Sequence, residues 1–158
     1  MPSDRQIALG LAAASAGLLL GAFGFEYFAD LPPCPLCIGQ RWAHAAAIAA
    51  GLIAAAILPR RRGTIFLALA AVFVVSAGLA LHHVGVEQGW WQGFSACTAA
   101  GTLGAGSVAD LRARLMAAPV VRCDEVPWAL FGISLAGWNL LASLGLAGIA
   151  LAALRWGR

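Results

Sequence analysis

Apolar positions in this chain neither alternate nor follow a simple helical stripe; they gather into four long blocks separated by short polar breaks. The blocks run roughly over 7–28, 37–58, 64–83 and 128–154. Each reaches the ~20 residues that a helix needs to cross a bilayer. The breaks near 29–36 and 59–63 are short, and the one at 84–127 is long. The pattern predicts an all-α integral membrane four-helix bundle, a single four-span domain over 1–158. Composition agrees, with 61% hydrophobic and 11% charged residues, well outside the range of soluble domains.

Charge orients the bundle. Every basic residue is an arginine. Arg60, Arg61 and Arg62 crowd the link between spans two and three, and Arg5, Arg155 and Arg158 flank the two ends. By the positive-inside rule, that link and both termini face the cytoplasm, and an even number of spans agrees. The net charge of +3 therefore reports topology and not a nucleic-acid partner. Ala14-Ser15-Ala16 resembles a signal-peptide cleavage site, but the apolar run continues to Phe28, so the first span is expected to be retained. Gly17, Gly21 and Gly24 are expected to let another helix approach closely.

This orientation puts all four cysteines on the outer face, where disulfides form and persist. Cys34 and Cys37 sit in the stretch Pro32-Pro33-Cys34-Pro35-Leu36-Cys37-Ile38-Gly39-Gln40-Arg41. Pro35 suits the first position of a helix, and it pushes Cys34 out of the α region, making it the expected cap residue. Cys37 then falls in the first turn, within disulfide reach of Cys34. The helix dipole and Arg41, four residues on, both favour a thiolate there. A structural disulfide or half of a zinc site are the alternatives; the electrostatic setting favours a reactive thiol, and no metal is expected.

The other outer features follow in order. Glu26 and Tyr27 lie at the membrane interface, and Glu26 is expected to reach water rather than to pair with Arg41. Span three closes on His82-His83, candidate partners for a ligand at that depth. Trp90 and Trp91 are expected to be interfacial anchors. Cys97 lies in a small-residue stretch that an external thiol could reach. Ser107 and Asp110 start a short amphipathic segment with Val108, Leu111 and Leu115 on one stripe, expected to lie on the membrane surface. Cys123 sits at the base of the loop, and a Cys97–Cys123 bridge would close about 25 residues, an ordinary size. Asn139, inside span four, is expected to hydrogen-bond between helices.

Two cysteine pairs on one membrane face, one mobile and one pinned beside an arginine, make an exchange relay possible. Electrons entering it must leave it. A periplasmic dithiol oxidant can be as strong as about −120 mV, so reoxidising it requires a still stronger acceptor. Within a bilayer a quinone is the natural candidate.

The four spans, the Cys34-Pro35-Leu36-Cys37 turn followed by Gln40-Arg41, His83 closing span three, and the later Cys97 and Cys123 together resemble the disulfide bond formation protein B (DsbB) family. The resemblance covers nearly the whole chain. It implies an inner-membrane thiol oxidase that uses ubiquinone or menaquinone and reoxidises a periplasmic thioredoxin-fold dithiol oxidase (DsbA-like). It also implies roles. Cys97 would take the partner in a mixed disulfide, Cys123 would attack Cys34, and Cys37 would be released as a thiolate against the quinone, with Arg41 and His83 at the quinone site. The vitamin K epoxide reductase family has similar chemistry, but its helix-borne pair follows the loop pair, whereas here it comes first. A membrane scaffold with two stapling disulfides is the alternative from another class, and lability to a reduced thioredoxin-like protein would separate it from a relay.

Overall fold

The computed structural model describes residues 2–57, 62–93, 107–109, 112 and 121–156. Four long helices make up most of it: α1 (Asp4–Phe28), α2 (Pro35–Ile57), α3 (Arg62–Glu87) and α4 (Leu135–Trp156). A two-residue hairpin, β1 (Ala129–Leu130) with β2 (Ile133–Ser134), precedes α4.

Local chemistry sets the helix ends. Ser3 caps α1 in a capping box with Gln6: the Ser3 hydroxyl accepts from the Gln6 amide at 3.3 Å, and the Ser3 amide donates to Gln6 Oε1 at 2.8 Å. Asp30 stops the chain just past α1, at φ 50°, a left-handed conformation that aspartate tolerates better than most residues. Cys34 caps α2 as its place before Pro35 predicts. The Cys37 amide donates to Cys34 Sγ at 3.2 Å, and the Ile38 amide to the Cys34 carbonyl at 3.1 Å. Ser134 caps α4, its hydroxyl accepting from the Gly137 amide at 3.1 Å.

Three helices, α1, α3 and α4, are long and apolar enough to cross a membrane. α2, with 23 residues, has a similar length and carries Gln40, Arg41 and His44 in its first half. Leu20, Leu52, Ile53, Leu67, Val74 and Val75 point outward and are exposed, as lipid-facing residues must be in a bilayer protein. The chain is an integral membrane four-helix bundle.

Helix four starts later than its hydrophobic block. Residues 128–134 are apolar yet form the hairpin, because Phe131 and Gly132 take φ values of 53° and 77°. Positive φ at both central residues makes the tight turn that two antiparallel strands require. At its other end α3 runs on to Glu87, four residues past the expected boundary at His83.

One packed core joins all four helices at the end that carries Asp4 and Arg62. Leu11, Ala47, Phe66, Phe73, Ala147 and Ala150 lie within it. Arg62 Nε donates to Asp4 Oδ2 at 2.6 Å, and its Nη2 donates to the Ala153 carbonyl, so one arginine ties α1, α3 and α4 together. The tightest helix approach is at Gly51 of α2. A methyl group added there would lie 2.9 Å from the Ala12 side chain and 3.0 Å from the Ala8 carbonyl oxygen. Gly17, Gly21 and Gly24 do not serve this purpose, since an added methyl would meet nothing within 4 Å at any of them. That corrects their expected packing role: Gly17 and Gly21 instead line a cavity.

Helix α1 packs along α2, α2 on α3, and α3 most extensively on α4, whereas α1 and α4 touch little. Residues of both α1 and α4 line that cavity. Of the expected loop helix, Val108, Ala109 and Arg112 are described; they are helical and exposed. Asp110, Leu111 and Leu115 lie outside the described residues, as do Cys97, Arg60, Arg61 and Arg158.

Candidate active site

The first turn of α2, the last turns of α3 and the segment before β1 converge at the end of the bundle away from Arg62. Cys34, Leu36, Val86 and Cys123 form a small buried cluster there, with Cys37 and Val121 packed against it. Cys123 is fully buried and Cys34 is 3% exposed. The structure thus brings together three of the four cysteines from distant parts of the chain. All three are free thiols, with Cys34 Sγ and Cys37 Sγ 2.8 Å apart. The hydrogen bond with Cys37, together with burial, raises the pKa of the Cys34 thiol far above the ordinary cysteine range.

His83 belongs to this site. Its Nε2 lies 3.6 Å from Cys34 Sγ and 3.8 Å from Glu87 Oε1, and its Nδ1 is 2.8 Å from Gln40 Nε2. Glu87 is held in turn by the Ser134 hydroxyl, which donates to Oε2 at 2.5 Å. His82 points elsewhere and stacks on Trp91 with ring centres 5.8 Å apart. The Trp91 indole donates to the His82 carbonyl at 3.0 Å, and its ring covers Gly85. Trp91 thus folds back on the end of α3, where the sequence suggests only an interfacial anchor.

Arg41 meets Glu26, contrary to the expectation for that carboxylate. It forms an ion pair with Glu26, its Nη2 donates to the Ala22 carbonyl at 3.2 Å, and its guanidinium lies 4.8 Å from the centre of the Phe23 ring. Glu26 is therefore not a carboxylate reaching for water. At the junction of α1 and α2 the pair is only 16% and 23% exposed, and a partly desolvated carboxylate is more stable beside a cation.

A chain of side-chain hydrogen bonds leads from the thiols into the bundle. Asn139 Nδ2 donates to Gln40 Oε1 at 2.6 Å, and Asn139 Oδ1 lies 2.7 Å from His44 Nε2. The Ser143 hydroxyl approaches the same Oδ1 at 3.3 Å and meets the Ser76 hydroxyl at 2.9 Å. Asn139 is the interhelical hydrogen-bonder expected of it. The roles of His44 and Glu87 are not evident from the sequence read alone. The available signal is spacing: His44 lies three residues after Arg41 and seven after Cys37, on the same helical stripe.

Cys34, Cys37, Arg41, His44, His83 and Glu87 all border one cavity of about 640 Å³, closed on its other side by Leu18, Ala22 and Phe25 of α1 and by Trp138 and Asn139 of α4. A mostly apolar cavity of this size with a few converging polar groups is typical of a small-molecule site. A shallower apolar groove of about 440 Å³ runs between α1 and α4, and Gly17 and Leu18 line both spaces. The donor atoms of Cys34, Cys37 and His83 lie within 4.8 Å of one another, a soft set that could also hold a zinc-like cation.

A close cysteine pair capping a membrane helix, with a third cysteine buried against it, defines a membrane protein of thiol–disulfide exchange. Comparison with known sequences agrees. A family model for the disulfide bond formation protein DsbB matches residues 4–153, and the chain belongs to that family. It is 37% identical over 150 residues to a disulfide bond formation protein B of Aromatoleum aromaticum, covering 88% of this chain and 85% of that one. Proteins of the same name from Hahella chejuensis and Saccharophagus degradans are 34% and 32% identical, covering 84% and 96% of this chain and 82% and 93% of theirs. No solved structure matches the chain. Membership makes it a disulfide-forming oxidoreductase of the membrane.

Proposed function

We propose that the protein is a quinone-dependent thiol oxidase of the bacterial inner membrane, reoxidising a periplasmic thioredoxin-fold dithiol oxidase (DsbA-like) and passing the electrons to ubiquinone or menaquinone. The observation that carries this reading is that Cys34 and Cys37 border the 640 Å³ cavity while Cys123 lies buried against Cys34. Exchange partner and electron acceptor can then reach the same pair from different sides.

The residues suit a quinone. The cavity accommodates a ring of that size beside Cys37 and Arg41, and the groove between α1 and α4 offers an apolar path for an isoprenoid tail. When bound, a quinone supplies a two-electron, two-proton acceptor. The chain's own residues do the rest. A partner thiolate attacks Cys97 of a Cys97–Cys123 disulfide, that bond breaks, and the partner's second thiol releases Cys97 as the partner disulfide closes. Cys123 attacks Cys34 of the Cys34–Cys37 disulfide, and Cys37 leaves as a thiolate. Cys97 then resolves the Cys123–Cys34 bond. The two electrons from the partner now reside on Cys34 and Cys37 at the cavity wall, with one proton on Cys34 and the other released to solvent. Arg41 favours negative charge beside Cys37, and His83 directs a ring nitrogen at Cys34 Sγ.

The same reading puts both termini and the Arg60–Arg62 link in the cytoplasm and all four cysteines on the periplasmic side. An impermeant thiol reagent should then label the reduced cysteines from that side alone. The test of acceptor chemistry is direct. Fully reduced purified protein, given one equivalent of ubiquinone or menaquinone under argon, is expected to form the Cys34–Cys37 disulfide as quinone absorbance falls. Protein that retains all its thiols with either quinone would contradict the proposal.

A further inference from the structure

His44 interrupts a run of alanines in α2, is only 4% exposed, and borders the cavity together with Cys37 and Arg41. These three positions lie on one stripe of the helix. At a rise of ~1.5 Å per residue, Cys37 and His44 are about 10 Å apart along the axis. The cavity therefore has a polar group at each end of one wall.

Hydrogen bonding determines which His44 nitrogen carries the proton. Asn139 donates its amide nitrogen to Gln40 Oε1 at 2.6 Å, so its oxygen faces His44 Nε2 at 2.7 Å. An amide oxygen can only accept, so Nε2 bears the hydrogen. In the neutral imidazole Nδ1 is then a bare acceptor, and that atom is buried without a hydrogen-bond partner. Leaving such a group unpaired is costly, which marks it as a site for a ligand donor. The rest of the chain runs in the same sense: Gln40 Nε2 donates to His83 Nδ1, leaving the His83 hydrogen on Nε2, toward Cys34.

We infer that His44 contacts the ligand in this cavity, accepting at Nδ1 a hydrogen bond from a ring hydroxyl, so that the site holds the reduced form of a two-oxygen ring acceptor more tightly than the oxidised form. This rests on the quinone reading and adds a second contact, at the ring oxygen remote from Cys37. A quinone carbonyl is itself an acceptor and gains nothing from a bare Nδ1, whereas the hydroxyl of a quinol donates to it. Tighter binding of the reduced form makes the bound quinone a stronger oxidant. A tenfold preference corresponds to about 30 mV for a two-electron couple. His44 exchanges no electron in this role and forms no covalent bond.

The test is equilibrium binding of a short-chain ubiquinone and, separately under argon, its ubiquinol. The full-length protein is used with its cysteine pairs oxidised, so that binding is read apart from turnover. The readout is the ratio of the quinone to the quinol Kd. The wild-type ratio is expected to be at least ten, with His44→Leu bringing it near one by weakening quinol binding alone. His44→Gln keeps a donor toward Asn139, tests the same point should leucine prevent folding, and is expected to fall between. A ratio below three in the wild type, or one unchanged in the folded variants, overturns the inference. A wild-type protein that binds neither form overturns the quinone reading instead.

Discussion

Arg41 is held by Glu26: the two form an ion pair across the junction of α1 and α2, so the cation one turn beyond Cys37 is fixed by the neighbouring helix rather than by solvent. Glu26→Gln removes the charge and keeps the shape. The expected loss is about 1–2 kcal/mol, between the small value of an exposed pair and the larger cost of breaking a buried one. Thermal unfolding in detergent, read as a double-mutant cycle with Arg41→Met, measures the coupling between the two residues. A coupling near zero would mean that the pair does not hold the guanidinium.

Arg41→Met retains the stem of the side chain and removes its charge and donors. The variant is expected to insert and fold, with its loop disulfide still exchanging with a partner. Quinone reduction should slow at least tenfold, a barrier increase of about 1.4 kcal/mol or more. Lysine should restore only part of the rate, since it lacks the planar fork that reaches Glu26 and the Ala22 carbonyl together. Turnover across a range of quinone concentrations separates weaker binding from slower chemistry.

Cys123 is buried against Cys34, which suits it to internal exchange and not to meeting an external protein. Cys123→Ser is expected to trap the partner on Cys97 as a stable mixed disulfide, identified by peptide mapping. A partner trapped on Cys34 would reverse the direction of the relay.

Asn139 joins Gln40, His44 and Ser143. Polar contacts between membrane helices average only ~0.6 kcal/mol, but Asn139→Leu removes three at once and strands the Gln40 oxygen and a His44 nitrogen. The expected destabilisation is about 1–3 kcal/mol, measured by unfolding in detergent. A shift no larger than the single-contact average would show that these groups find other partners.

Much of this arrangement is legible in the sequence because its signals are local. A proline one residue after Cys34 forces the cap and so the position of Cys37 in the first turn, and the four apolar blocks mark the four helices. Features that depend on what faces what are not legible in this way. Residues 128–134 read as the start of a span because hydropathy cannot register the positive φ of Phe131. Glu26 and Arg41 are separated by a helix end and a turn, and only the packing of α1 on α2 brings them together. His44 is hidden in an alanine run, and its importance rests on Asn139, 95 residues away.

Coupled turnover tests the central claim most directly. Purified protein in detergent, supplied with a reduced periplasmic thioredoxin-fold partner and a quinone, is followed for partner disulfide and quinone consumption together. One quinone is expected to be consumed per partner disulfide formed, with both processes stopping in Cys34→Ser. Partner oxidation without quinone consumption, or quinone consumption that persists in Cys34→Ser, would contradict electron flow through the Cys34–Cys37 pair.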